Sequence, residues 1–126
     1  MSILGTSSPS MARPVADLPL YYSSLFQQTA ANLLAMRPSL ITDGDVLNLE
    51  ILLNEAYLYA VQYEWSVDLQ NAILDGLARA TELSDIAQRN PSQPRSTFFY
   101  RNVKKLVSFL QVVAVFLIDE NSGTEN

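Results

Sequence analysis

Apolar residues recur at helical spacing along four stretches of this chain, and proline or capping residues separate the stretches. The first stretch runs from Leu20 to Arg37. Asp17 stands before it as a candidate capping residue, and Pro38 ends it because the residue before a proline disfavours helical geometry. Thr42 then offers a capping hydroxyl for the second stretch. Each pattern predicts an α-helix.

The second predicted helix, Val46–Trp65, is apolar on two sides. One stripe consists of Leu49, Leu52, Leu53, Ala56, Ala60 and Tyr63. The other consists of Leu47, Ile51, Leu58 and Trp65. A helix that buries a single face shows one such stripe. We therefore expect this helix to be central in the fold or to be shared with another chain.

The third predicted helix starts at Ser66-Val67-Asp68 and extends through Gln88, with one well-defined apolar side. The second stripe of the preceding helix continues nearly in phase across Ser66, so one long helix also fits the pattern. The usual length of helices, about 11–12 residues, favours a break. Both arrangements are open at this point.

The fourth predicted helix, Phe98–Glu120, starts at Ser96 or Thr97, after a connection with two prolines that stop helix propagation. Its polar residues repeat at intervals of three and four, which favours a helix over a strand. These elements predict an all-α fold, a four-helix antiparallel bundle. Residues 1–16 are expected to form a flexible N-terminal arm, residues 17–120 the helical domain, and residues 121–126 a polar C-terminal tail.

Histidine and cysteine are both absent, which removes the commonest general base, the usual thiol nucleophile and two leading metal ligands. The chain also has only four glycines and no phosphate-binding glycine motif. We therefore expect no catalytic site, no cofactor and no metal. Hydrophobic residues make up 48% and charged residues 17%, below the roughly 25% of soluble domains. This balance indicates apolar surface that serves a partner.

No membrane-spanning segment is expected, because the uncharged run Leu106–Ile118 is well short of the ~20 apolar residues that cross a bilayer. The chain also lacks a signal-peptide pattern at its start, since Met1–Leu4 is too short for an apolar core and follows no basic residue. We therefore expect an intracellular, cytoplasmic location.

Charge is divided along the sequence. The segment from Pro38 to Ala78 has no lysine or arginine and contains an acidic patch of Asp43, Asp45, Glu50, Glu55 and Glu64. A later basic patch consists of Arg95, Arg101, Lys104 and Lys105. In one interpretation, antiparallel helices pair these charges within one molecule. In the other, the patches meet between copies, as a head-to-tail contact that closes into a ring or extends as a filament.

The expected function is non-catalytic: an interaction or assembly subunit that binds a protein partner, which we expect to be another copy of the chain. Its predicted interface consists of Tyr57, Tyr59, Tyr63, Trp65, Val112, Val115 and Phe116, because aromatic side chains with a polar atom favour half-wet boundaries. The alternative is a nucleic-acid-associated accessory protein that uses the segment Arg95–Lys105, with aromatic residues for stacking. The net charge of −5 disfavours it.

Overall fold

The computed structural model describes residues 17–89 and 95–124, and its regular structure is helical. The described residues form α1 (Leu18–Ala35), α2 (Asp43–Gln62), α3 (Val67–Arg89) and α4 (Thr97–Thr124). A single turn of 3-10 helix, Pro38–Leu40, lies between α1 and α2. The all-α, four-helix prediction is confirmed. The predicted arm, residues 1–16, lies outside the described residues.

Hydroxyl side chains fix the start of three helices. At α2, Thr42 Oγ1 accepts a hydrogen bond from the Asp45 amide (3.0 Å), and Asp45 Oδ2 accepts one from the Thr42 amide (2.8 Å), which completes a capping box. Ser66 Oγ accepts from the Leu69 amide (3.3 Å) at α3. Ser96 Oγ accepts from the Phe99 amide (3.1 Å) at α4, so Ser96 rather than Thr97 caps that helix.

Asp17 does not cap α1 with its side chain, contrary to the prediction. It occupies the position before the helix but has helical backbone angles, and its carboxylate makes no capping hydrogen bond. A capping side chain bonds the second or third amide of the helix, and the second residue of α1 is Pro19, which has no N–H. At the other end, Arg37 is extended before Pro38, as expected.

The chain breaks between α2 and α3, which resolves the alternative of one long helix. The Trp65 amide bonds the Ala60 carbonyl (2.9 Å) and the Glu64 amide bonds the Val61 carbonyl (3.3 Å). These bonds form a Schellman motif, which requires a left-handed residue that is usually glycine. Here Glu64 takes that position with φ of 55°. The turn carries Trp65 out of the stripe in which a continuous helix would place it.

The four helices form an antiparallel bundle in which α1 packs against α4, α2 against α3, and α3 against α4. Along α1 and α4, Ser23 Oγ donates to the Ala114 carbonyl and Lys104 Nζ to the Leu33 carbonyl, so the two helices run in opposite directions. Tyr22 of α1 contacts α2 through Glu55. Both α2 and α4 therefore lie between α1 and α3, at opposite corners of the bundle.

Gly76 on α3 marks the closest approach of three helices. A Cβ atom at this position would lie 3.3 Å from Leu53 Cδ2 of α2 and 3.4 Å from Phe109 Cε2 of α4. The absence of a side chain lets α3 approach both neighbours. Leu53 and Phe109 are therefore at about the same level along the bundle axis.

The end of α4 differs from the prediction. The helix continues to Thr124 instead of ending at Glu120, and Asn121 is buried. Asn121 follows Leu117 and Ala114 at helical spacing on the buried side, so helix packing extends into the stretch that was expected to be a polar tail. Residues 125 and 126 lie outside the described residues.

We expect Glu64→Gly to raise the free energy of unfolding by about 1 kcal/mol, because glycine adopts positive φ without the steric cost that glutamate bears. Chemical denaturation monitored by circular dichroism measures the change. Glu64→Ala is the matched control, since it removes the carboxylate but keeps the Cβ atom. If Glu64→Ala stabilised the protein as much as Glu64→Gly, a charge effect rather than backbone strain would be the cause.

Candidate protein interface

Two aromatic residues of the predicted interface, Tyr59 and Tyr63, lie at the boundary between α1 and α2. The rings of Tyr59 and Tyr63 are stacked with centroids 6.0 Å apart, and Tyr59 is 5.8 Å from the ring of Tyr22. Both tyrosines, and Tyr57, are half-buried. Trp65 is only 5% exposed, so its side chain belongs to the core of this chain and offers little surface to a partner.

Tyr22 connects this aromatic cluster to the acidic patch. Its hydroxyl donates a hydrogen bond to Glu55 Oε1 at 3.3 Å. Burial, and then the nearby Glu55 carboxylate, raise the pKa of the Tyr22 phenol well above its ordinary value. The phenol is therefore neutral and donates the hydrogen bond. It does not offset the negative charge of Glu55.

An uncovered apolar surface follows α2 on the side opposite the core. We call it the α2 outer face, and it consists of Leu47, Ile51, Asn54, Leu58 and Val61. All five side chains are exposed, and Leu58 is 59% exposed. Successive members are four and three residues apart in alternation, the spacing of the contact positions in a coiled coil. Leu47, Ile51 and Leu58 belong to the stripe that the sequence pattern predicts, whereas Asn54 and Val61 were not part of that prediction.

A second uncovered surface follows α4. The α4 outer face consists of Arg101, Lys105, Ser108, Val112 and Val115. It has the same alternating spacing of four and three, and Val115 is 55% exposed. Phe116, beside it, is also exposed. The structure thus leaves Val112, Val115 and Phe116 of the predicted interface accessible, as that role requires.

The two outer faces point away from each other. Both α2 and α4 contact α1 and α3, so these two helices occupy opposite corners, and the buried sides of both helices face the common core. Because each outer face is the side of its helix opposite the core, the α2 and α4 outer faces are on opposite sides of the molecule. One chain cannot cover one of these faces with the other.

Arg95, assigned to the basic patch, is part of the fold. Its guanidinium bonds both oxygens of Asp43, with Nε 3.1 Å from Oδ1 and Nη2 2.6 Å from Oδ2. It also donates to the Ala87 carbonyl and lies over the ring of Phe99. The side chain is 9% exposed, and the bond to Asp43 raises its pKa. One pair of acidic and basic patch residues is therefore satisfied within the molecule.

Lys104 also acts inside the fold. Its ammonium donates to the carbonyls of Leu33 (2.9 Å), Leu34 (3.2 Å) and Met36 (2.9 Å) at the C-terminal end of α1. The Leu33 carbonyl also accepts from the Met36 amide at 3.3 Å. Carbonyls in the last turn of a helix carry the negative end of its dipole, so a cation is favourable there. Of the four basic patch residues, Arg101 and Lys105 are the two on the α4 outer face.

Asp45 and Glu50 of the acidic patch contact neutral groups. Asp45 accepts from the Thr42 amide, and Glu50 accepts from the Thr81 hydroxyl at 2.8 Å. Glu64 is exposed at the turn after α2. These hydrogen bonds position the carboxylates without neutralising them. The α2 outer face is therefore flanked by negative charge, with Glu50 on one side and Glu55 on the other.

A groove of about 500 Å³ lies between α3 and α4 beside the start of the α4 outer face. Its apolar lining includes Leu83, Ile86 and Phe98, and Arg79 and Lys105 contribute cations. Phe98 is 68% exposed, which is unusual for a large aromatic residue. The groove extends the exposed apolar surface of this corner toward α3.

Comparison with protein-family models, with curated proteins and with solved structures finds no match for this chain. Across residues 17–89 and 95–124, no helix is both long enough and apolar enough to cross a membrane. The same residues contain no group of three or more acidic side chains placed to hold a metal ion.

We expect Lys104→Met to lower the free energy of unfolding by about 1–2 kcal/mol, because it removes a charged donor from three carbonyls at the end of α1. Lys105→Met is the matched control, since the neighbouring lysine is exposed on the α4 outer face. Thermal or chemical denaturation measures both variants. Equal stability of the two variants would contradict the structural role of Lys104.

Proposed function

We propose that this protein is a non-catalytic association module that binds protein surfaces through the α2 outer face and the α4 outer face. The observation that carries the proposal is the exposure of an apolar stripe on α2 and of Val112, Val115 and Phe116 on α4, at opposite corners of the bundle. Single exposed apolar residues are common on protein surfaces, but a contiguous stripe at coiled-coil spacing is typical of a contact.

Full burial of a leucine, isoleucine or valine side chain contributes roughly 1.5–3 kcal/mol, so covering these half-exposed residues yields about 1 kcal/mol each. The four apolar members of the α2 outer face therefore supply about 4 kcal/mol. Association costs at least about 4 kcal/mol in lost freedom of motion. One face alone therefore only offsets the lowest association cost, and burial of the partner's apolar side chains must supply the net stability of a weak contact. Charge complementarity then selects the partner.

The alternative function, binding of nucleic acid by Arg95–Lys105, has less support. Arg95 and Lys104 are engaged within the fold, which leaves Arg101 and Lys105 beside the exposed ring of Phe98. Two exposed cations make few phosphate contacts, and the net charge of the chain is −5. This function stays a hypothesis from the sequence.

A photo-crosslinking side chain introduced at position 58 or 115 tests the proposal. We expect irradiation in an extract of the producing cells to give protein adducts at Leu58→benzoylphenylalanine and Val115→benzoylphenylalanine, because those positions lie in the two outer faces. Gln28→benzoylphenylalanine is the control, since Gln28 is exposed on α1 outside both faces. We expect adducts at several times the control yield. An excess of wild-type protein, which lacks the crosslinking side chain, should reduce that yield by competition.

The proposal would be contradicted if positions 58 and 115 gave no more adduct than position 28. Equal yields at all three positions would mean that collisions, rather than a specific surface, account for the crosslinks.

A further inference from the structure

We infer that the partner of the α2 outer face is the α4 outer face of a second copy, with the two helices parallel. This inference rests on the proposed function and names its partner. It predicts a head-to-tail contact, in which each molecule uses a different face toward each of its two neighbours.

The two faces match position by position. Because both have the same alternating spacing of four and three, a parallel alignment pairs every member of one face with a member of the other. The pairs are Leu47 with Arg101, Ile51 with Lys105, Asn54 with Ser108, Leu58 with Val112, and Val61 with Val115. Asn54, the polar member of the α2 outer face, thus faces Ser108, whose hydroxyl can hydrogen-bond the side-chain amide. Leu58 and Val61, in the C-terminal half of this face, meet valines.

Charge selects this pairing over contact between like faces. Glu50 and Glu55 flank the α2 outer face, and the segment from Pro38 to Ala78 has no cation to offset them. Two copies of this face would bring like charges together, which is unfavourable. On the α4 outer face, Arg101 and Lys105 lie at the positions aligned with the N-terminal half of α2. Their long side chains can cover Leu47 and Ile51 while their charges reach the flanking carboxylates.

The fold presents the faces in the required orientation. Both α2 and α4 run antiparallel to α3, so they are parallel to each other within one molecule. Because the faces also point in opposite directions, a neighbour displaced sideways, without being turned over, places its α4 beside α2 in the parallel sense. Leu53 and Phe109 are at about the same level beside Gly76. In the proposed register, the neighbouring copy is shifted along the bundle axis by about two residues relative to that level, which is about 3 Å.

Each contact of this kind is small. One helix against one helix involves fewer residues than the ~20–30 per side of a standard stable interface. We therefore expect association to depend on concentration. Because the contact lacks a twofold axis, it leaves an open face at each end of a pair and propagates until a ring closes or a filament grows.

Engineered disulfides test the register directly, because the natural chain has no cysteine. We expect an oxidised mixture of Leu58→Cys and Val112→Cys chains to form disulfide-linked dimers at least ten times faster than either variant alone. Cysteines can bridge when their Cα atoms approach to about 4.4–6.8 Å, and the proposed register brings positions 58 and 112 opposite each other. A chain that carries both substitutions should form a ladder of linked oligomers.

The matched control is a mixture of Leu58→Cys with Arg101→Cys, which lies on the same α4 face but three turns away from the paired position. The inference is overturned if this mixture, or Leu58→Cys alone, crosslinks as fast as the designed pair. It is also overturned if the doubly substituted chain stays a monomer. Photo-crosslinks from position 58 to a different protein, without the designed disulfide, would overturn pairing between copies but leave the proposed function standing.

Discussion

The organisation of this molecule follows from the limit that a corner helix in a four-helix bundle can bury only one side against its neighbours. On α2, one stripe fills that role with Leu49, Leu53, Ala56 and Ala60. The second stripe, with Leu47, Ile51 and Leu58, then lies away from the core and stays exposed. The same limit leaves Val112 and Val115 exposed on α4. Since α2 and α4 occupy opposite corners, no rearrangement of side chains within the bundle covers these surfaces.

Some charged side chains of this chain stabilise the fold, and others lie on its surface. Arg95 joins the start of α2 to the end of α3 through Asp43 and the Ala87 carbonyl, and Lys104 closes the C-terminal end of α1. These two cations are therefore committed to the fold. Arg101 and Lys105 lie on the α4 outer face, while Glu50 and Glu55 carry negative charge beside the α2 outer face. The division of charge seen in the sequence is thus paired in part within the molecule, and its remainder is displayed on opposite sides.

Much of the fold could be predicted from the sequence, because helix periodicity and the capping residues Thr42 and Ser66 are local signals. The double stripe on α2 was also visible. The position of Trp65 was not, because its place in the outer stripe assumed that the helix continued, whereas a left-handed Glu64 ends it and turns the indole into the core. Lys104 bonds the end of α1, whereas its neighbour Lys105 is exposed. This difference depends on a tertiary contact with α1, which the local sequence does not reveal.

Sedimentation equilibrium of the wild-type chain across a wide range of concentrations decides whether the exposed faces of α2 and α4 associate between copies. We expect the average mass to rise steadily with concentration and to pass the mass of a dimer. A variant with Leu58→Gln and Val115→Gln, at unchanged stability, should shift the rise to higher concentration. A wild-type chain that keeps the mass of one copy at every concentration would contradict association between copies.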